Sequence, residues 1–283
     1  ALMGRLAWIQ LVKAEEFTDL AWNQWTRGVP ARSPRGTIFD RNGQVLAGSA
    51  TADTVVAFPP QVEDPEDTAE KLADALDMDY ERVLDLISSK SAAVYVKRQI
   101  DEDTSIKVKE LGLSGVKFTP ESKRYYPNDN LLSQVLGFVG IDQGWSGLEI
   151  KYEELLKGRD GMIISQTDAK GRRIPQGIQH FRPPKDGADL ILTIDETIQF
   201  IVERELERAM IDYDPIQAMA LAVDPYTGEI LAMAGKPDFD PNNYAAYSKE
   251  TWRISPIANT FEPGSTFKLV TLAAAIDQGV YSM

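Results

Sequence analysis

The chain has 283 residues, 43% of them hydrophobic, enough apolar material for a sizeable core and a length that favours two domains. Lys and Arg number 30 against 43 Asp and Glu, a net charge of −13 with no basic run, which disfavours a nucleic-acid partner whose phosphates need a basic patch. With no cysteine there is no disulfide framework, thiolate nucleophile or Cys-bound metal, and the lone His180, in a polar Gln-His-Phe-Arg stretch, disfavours a zinc site and a Ser-His-Asp triad.

Residues 1–12 are mostly apolar but include Arg5. A spanning helix needs ~20 apolar residues, so this stretch reads either as the outer end of a membrane anchor or as an amphipathic helix packed on a domain. The lack of an initiator Met at position 1 tips the reading to the anchor, with Lys13, Glu15 and Glu16 marking the exit into water. Trp8, Trp22 and Trp25 read equally as bilayer-interface anchors or as ordinary packing. Residues 13–34 are otherwise polar and end as an extended linker. Thr37-Ile-Phe39 and Gln44-Val-Leu-Ala47 flank Asn42-Gly43, which predicts a hairpin whose two central residues take positive φ. Thr54 to Phe58 is a second extended piece that stops at Pro59-Pro60.

Asp67 followed by Glu70 reads as a capping box, with Ala69, Leu72, Ala73 and Leu76 on one helical face. Further helices are predicted over 80–87 and 104–111, the latter closed by Gly112. Val116 to Phe118 and Arg124 to Tyr126 read as strands, and Leu131 to Val139 is an apolar run ending at Gly140. Residues 20–180 thus alternate short strands and helices, a mixed α+β module. Pro183-Pro-Lys-Asp-Gly187 is the boundary candidate. Beyond it come a strand over 189–194 and a helix capped by Asp195, with Ile198, Ile201, Val202 and Ala209 on one face. Ala218 to Val223 and Glu229 to Ala234 flank Asp224-Pro-Tyr-Thr-Gly228, a hairpin apolar enough to be covered on both sides. Residues 238–252 are loop-like, and Glu262-Pro-Gly leads into a helix over 266–276.

Ser265-Thr-Phe-Lys268 opens that helix. Serine needs a base within hydrogen-bond reach, and a Lys three residues on lies one turn away on the same side. Apolar neighbours (Phe267 and Leu269 to Leu272) would keep the amine neutral part of the time. The Pro-Gly ahead of the serine suits a helix start, where the free Ser265 N–H can point at a developing oxyanion. The spacing alone also fits an ordinary helix-start serine with a surface lysine. A second copy, Ser114-Gly-Val-Lys117, precedes a strand, where alternation parts the two side chains.

Arg35-Gly-Thr-Ile-Phe-Asp-Arg-Asn-Gly43 resembles the signature that opens the pedestal module of class B penicillin-binding proteins. Arg124-Tyr-Tyr-Pro127, Gly137-Phe-Val-Gly140, Gly147-Leu-Glu149 and Asp168-Ala-Lys-Gly171 are similar to its later landmarks. Lys236-Pro-Asp-Phe-Asp-Pro241 and Glu262-Pro-Gly-Ser-Thr-Phe-Lys268 resemble the opening of the transpeptidase domain. Within the class, the Asp168 and Lys236 pieces are most like sporulation-type (stage V) members. The resemblance implies an α+β chain: an anchor or juxtamembrane end at 1–20, a dimerisation-type pedestal at 21–182, and over 183–283 the first part of an α/β domain of the penicillin-binding/serine β-lactamase type.

It further implies a single-pass membrane protein with extracytoplasmic domains that cross-links peptidoglycan stem peptides ending in D-Ala-D-Ala. Ser265 would be the acylated nucleophile and the target of β-lactams, and Lys268 its general base, with no metal or organic cofactor; substrate-binding residues are not assigned. Partners would be the stem peptide and cell-wall synthesis membrane proteins such as a glycosyltransferase. The family's Ser-x-Asn and Lys-Thr/Ser-Gly motifs do not occur between Lys268 and Met283, so these 283 residues alone are expected to be inactive. Two alternatives stand beside this: a β-lactam hydrolase or sensor, and a non-enzymatic pedestal that binds cell-wall synthesis partners. Arg35, Asp40 and Arg41 are expected to pair electrostatically at the pedestal base.

Overall fold

The computed structural model describes residues 2–14, 26–31, 33–166 and 179–281. Trp22, Trp25 and Asp168-Ala-Lys-Gly171 lie outside the described residues. The first described stretch is α-helical over Leu2–Ala7 and π-helical over Trp8–Val12. Among the described residues no helix is long and apolar enough to cross a membrane.

The strands in chain order are β1 (Thr26–Ala31), β2 (Ile38–Phe39), β3 (Val45–Ala57), β4 (Val94–Ile100) and β5 (Val116–Tyr125). They continue with β6 (Gly161–Gln166), β7 (Gln179–Arg182), β8 (Leu190–Ile191), β9 (Ala218–Val223) and β10 (Ile230–Lys236). Strand β3 organises the first half of the chain. Its start pairs with β2, and further along it is bracketed by β5 and β4, all antiparallel. The pieces read from sequence as separate strands are therefore single long ones, because Gly48 to Asp53 is carried across its polar middle by pairing with Pro120 to Tyr125. A separate antiparallel sheet joins β1, β6 and β7.

Three helices cover one face of β3, and aspartate caps each start. Asp64 accepts from the Asp67 N–H, Asp79 from Arg82 and Asp101 from Thr104. The first helix, Pro65–Leu76, thus starts before the capping box read at Asp67, because Pro65 is pre-set for a first helical position. The others run Tyr80–Ile87 and Glu102–Glu110. Ala69, Leu72, Ala73 and Leu76 face the sheet and join Val55, Ala57, Val83, Ile87, Val96 and Val108 in a core. Each fully buried Leu there contributes about 1.5–3 kcal/mol.

A second core cluster draws on distant parts of the chain: Ile38, Leu46, Tyr126, Leu132, Leu136, Phe138, Leu156, Ile194 and Phe239. It forms because β8 pairs in parallel with β2, Ile38 against Leu190 and Phe39 against Ile191. The chain beyond residue 183 is therefore bonded to the very hairpin that opens the first module. That hairpin is real, but its turn is not the two-residue kind expected. Only Gly43 takes positive φ (86°). The Asp40 carboxylate accepts from the Asn42 and Gln44 N–H groups at 2.7 and 2.8 Å, which closes the turn without a positive φ at Asn42.

The helix Glu196–Tyr213 is capped by Asp195 as expected and packs on β10. Its predicted apolar face is buried only in part: Ile198, Val202 and Ala209 are half-buried and Ile201 is 44% exposed, whereas Gln199 and Glu203 beside them are buried. The β9–β10 hairpin forms around Asp224 to Gly228. It is covered on β10 only, since Leu221 and Val223 of β9 are half exposed.

Candidate active site

The motifs scattered along the first module converge on one buried carboxylate. Glu149, fully buried, takes the Arg35 Nε at 2.7 Å on one oxygen and the Arg124 Nε at 2.6 Å on the other. Arg35 continues to the Glu149 carbonyl at 2.8 Å and to Glu153 at 2.7 Å, and Arg124 to the Gly36 carbonyl at 2.7 Å. The Tyr126 hydroxyl donates to Glu149 and accepts from the Val139 N–H. Burial, with the Glu149 charge beside it, pushes that phenol well above its ordinary range. Arg35 thus does not pair with Asp40, contrary to the expectation from sequence. It is drawn away because Glu149 and Glu153 supply two carboxylates in one dry place.

Asp40 serves another end. Besides its own turn, it accepts from the Glu196 N–H at 3.2 Å, capping the helix that follows β8. Burial works to raise its pKa, but the N–H groups of Gln44, Glu196 and Asn42 outweigh that and leave it lowered. Arg41 donates its N–H to the Ile194 carbonyl and pairs with Glu229 at 3.2 Å. The opening signature therefore grips the second half of the chain at several points.

Polar side chains are the most deeply buried on the helix Glu196–Tyr213, because they bond backbone brought to them from elsewhere. The Gln199 amide bonds the N–H and carbonyl of Met233 in β10 at 2.8 and 3.0 Å, as a neighbouring strand would. Glu203 accepts from Gln199 and from the Leu132 N–H, both at 2.7 Å. Burial raises its pKa despite those bonds. Lys236 closes the cluster against Asp238 at 2.7 Å and Glu207 at 3.2 Å. Burial pulls its ammonium pKa down, and these carboxylates overcome that to leave it raised. A cavity of about 1060 Å³ opens beside this cluster, lined by Asn128, Phe200, Arg204 and Lys236 among others.

From Lys236 the chain crosses the first module before reaching the serine. Phe138 stacks on Tyr244 at 4.1 Å and meets Trp252 edge-on at 4.8 Å. Tyr244 and Trp252 thus pack against the first module. Gln134 reaches the same segment with its amide; nothing in the spacing of an apolar run marks such a residue, and sequence reasoning passes over it.

Ser265 and Lys268 sit where the helical reading puts them. Ser265 lies in a 3-10 turn, Gly264–Phe267, and Lys268 opens the α-helix Lys268–Asp277. Gly264 takes φ 53°, a turn that favours glycine, and the Thr266 N–H closes it on the Pro263 carbonyl at 3.1 Å. Among the described residues the Ser265 N–H has no backbone acceptor, as an oxyanion donor requires. The described residues contain no hydrogen bond between the Ser265 hydroxyl and the Lys268 amine, and both side chains are exposed. The expected dry setting is absent too: among the described residues Phe267, Leu269 and Val270 are more than half exposed. In the second Ser-x-x-Lys copy, the Ser114 hydroxyl donates to the Gln61 carbonyl at 3.0 Å and Lys117 lies over the Phe58 ring. No cluster of metal-ligating side chains occurs among the described residues.

Comparison with known proteins sets this geometry in context. Residues 30–192 match the model for the penicillin-binding protein dimerisation domain, and residues 218–283, which contain Ser265 and Lys268, match that for the penicillin-binding protein transpeptidase domain. Stage V sporulation protein D of Bacillus subtilis (strain 168) is 42% identical over 97% of the chain and 43% of its own length. Peptidoglycan D,D-transpeptidase FtsI of Escherichia coli (strain K12) is 33% identical over 99% of the chain and 48% of its own length. The chain thus spans about half the length of the curated relatives it matches. The crystal structure of a peptidoglycan synthetase from Bifidobacterium adolescentis superposes with a TM-score of 0.61 at 26% identity, over 91% of this chain and 52% of that one. Penicillin binding protein 2X from Streptococcus thermophilus gives 0.60 at 26% identity, over 90% and 42%.

Proposed function

The chain belongs to the penicillin-binding proteins that carry a dimerisation domain and a transpeptidase domain, and from that premise we propose that its full-length protein is a peptidoglycan D,D-transpeptidase acting through an acyl-Ser265 intermediate. Residues 21–182 are its pedestal and 183–283 the opening of its transpeptidase domain. Lys268 is the general base. The observation that carries this reading is the placement of Ser265 on a 3-10 turn after Pro263-Gly264, its N–H without a backbone acceptor among the described residues and Lys268 one turn on.

In the acylation step the neutral Lys268 amine takes the Ser265 proton as the hydroxyl oxygen attacks the penultimate D-alanine carbonyl. The tetrahedral oxyanion forms beside the Ser265 N–H. Collapse breaks the peptide C–N bond, the proton passes to the departing D-alanine amine, and an ester to Ser265 remains. The amine of an acceptor stem then attacks that ester, restores the Ser265 hydroxyl and completes the cross-link. A β-lactam follows the first half, but its opened ring stays attached, so the acyl-enzyme persists. The protein works outside the cytoplasm on a single membrane span, of which the apolar residues 1–12 are the outer end. Cell-wall synthesis membrane proteins, a glycosyltransferase among them, are its partners.

The test is stoichiometric labelling of the full-length protein by a fluorescent penicillin. Labelling is expected to vanish in S265A, to slow about 10²–10⁴-fold in K268A, and to be unchanged in S114A. Persistence of the label in S265A would overturn the assignment.

A further inference from the structure

Building on the reading of Ser265 as the acylated serine, we propose that Gln134, a residue of the pedestal, is a positioning residue for acylation, through a clamp on the backbone that leads to that serine. Gln134 is buried (6% exposed) at the start of the short helix Ser133–Leu136. Its amide spends its whole hydrogen-bonding capacity on one segment of the second domain. Nε2 donates to the carbonyls of Pro237 at 3.0 Å and Thr251 at 3.1 Å. Oε1 accepts from the Ser255 N–H at 3.4 Å and from the Ser255 hydroxyl at 3.3 Å.

One amide thereby ties together the exit from β10, the end of the turn Lys249–Trp252 and the start of the helix Ser255–Ala258. The site has no slack. A Cβ built on Gly235 would lie 1.8 Å from the Ser255 hydroxyl and 2.7 Å from Gln134 Oε1, so β10 presses directly on the clamp. Removing the amide would leave the buried Ser255 N–H and hydroxyl, and the part-buried Pro237 and Thr251 carbonyls, without these partners, a loss that the segment relieves by moving.

The consequence for Ser265 follows from where the next ties lie. After Ser255, the Asn259 side chain bonds Gln217, just before β9, at 2.7 Å. Thr260 to Ser265 are then exposed. The position of the serine is inherited from these two anchors, one of them in the pedestal. Displacing a reacting atom by about 1 Å costs on the order of 10²-fold in rate. Gln134 touches neither substrate nor serine; it acts only through the backbone it holds.

The experiment compares full-length wild type with Q134M, which keeps the volume and loses all four bonds, and with E203Q, which perturbs a buried interdomain carboxylate whose hydrogen bonds, from Gln199 and the Leu132 N–H, do not involve residues 237–255. Acylation by a fluorescent penicillin is followed over a concentration series, alongside melting temperature and hydrogen exchange. Q134M is expected to lower the maximal acylation rate about 10–100-fold, with little change in the half-saturating concentration, and to speed amide exchange over 251–258. E203Q should stay within about twofold of wild type even where its melting temperature falls as far, since the bonds from Gln134 to residues 237–255 are untouched. Three results would each overturn the proposal: an unchanged rate in Q134M, a loss confined to half-saturation, or losses in both variants that track melting temperature. If wild type itself takes no label, the reading of Ser265 fails, and the clamp is still judged by exchange: unchanged protection over 251–258 in Q134M refutes it and faster exchange supports it.

Discussion

Replacing Glu149 by Gln should destabilise the protein more than any surface substitution, and the size of the loss can be worked from the network. The wild-type carboxylate is fully buried and answers two guanidiniums at 2.7 and 2.6 Å, with the Tyr126 hydroxyl as a third donor. The Arg35 and Arg124 side chains are only 10% and 3% exposed, so neither can turn to water without opening the core. Gln keeps the shape but offers one acceptor oxygen and presents an NH₂ to the other guanidinium. One buried cation is then left with no anion except the Glu153 carboxylate, which Arg35 already holds. Breaking a buried pair from one side costs roughly 3–5 kcal/mol, so E149Q should lose about that much in urea unfolding at neutral pH. Because the pairs are shielded from solvent, the loss should change little between low and moderate salt. A loss below about 1 kcal/mol, or one erased by salt, would show that the network does not carry the pedestal base.

Asp40 offers a pH-dependent counterpart. Its folded pKa is lowered by N–H donors, so its stabilisation is present above its ordinary value of 3.8 and is lost as pH falls through the folded value. D40N should therefore cost about 1–2 kcal/mol at pH 7, a gap that closes on acidification; an equal gap at pH 7 and in acid would refute the cap. Finally, a polypeptide of these 283 residues alone should take no penicillin label, whereas the full-length protein should be labelled; stoichiometric labelling of the short polypeptide, lost in S265A, would contradict this.

Sequence makes legible whatever neighbours along the chain decide. The helix at 80–87 and the β9–β10 hairpin follow from Asp79 and from the Asp224 turn, whose own backbone amides they bond. The helix start at Ser265 is legible for the same reason. Residues joined across long gaps are not. The pairing of β2 with β8 links Ile38 to Leu190, and no local pattern announces a parallel partner so far away. Gln199 and Glu203 look like the solvent face of a helix until the β10 backbone and the Leu132 N–H are brought to them. Arg35 and Glu149 stand in two separate motifs, and their meeting depends on the fold that brings 33–36 against 144–156.

The two Ser-x-x-Lys copies show what chemistry adds to spacing. Ser114 has its hydroxyl committed to a carbonyl, and Lys117 spreads over an aromatic ring at the edge of β5. Ser265 differs in backbone state: an N–H at a helix start with no backbone acceptor among the described residues, and a lysine on the same helical side. That difference makes acylation possible in principle, yet a lysine works as a base only when its charged form is disfavoured by burial or by a neighbouring cation. Phe267, Leu269, Val270 and Leu272 point to different sides of the helix and are all exposed, so desolvation of Lys268 needs groups beyond those the described residues supply. Positioning by the pedestal and desolvation of Lys268 are thus separable requirements. Disturbing the first, as in Q134M, should slow the serine without changing how the rate depends on pH.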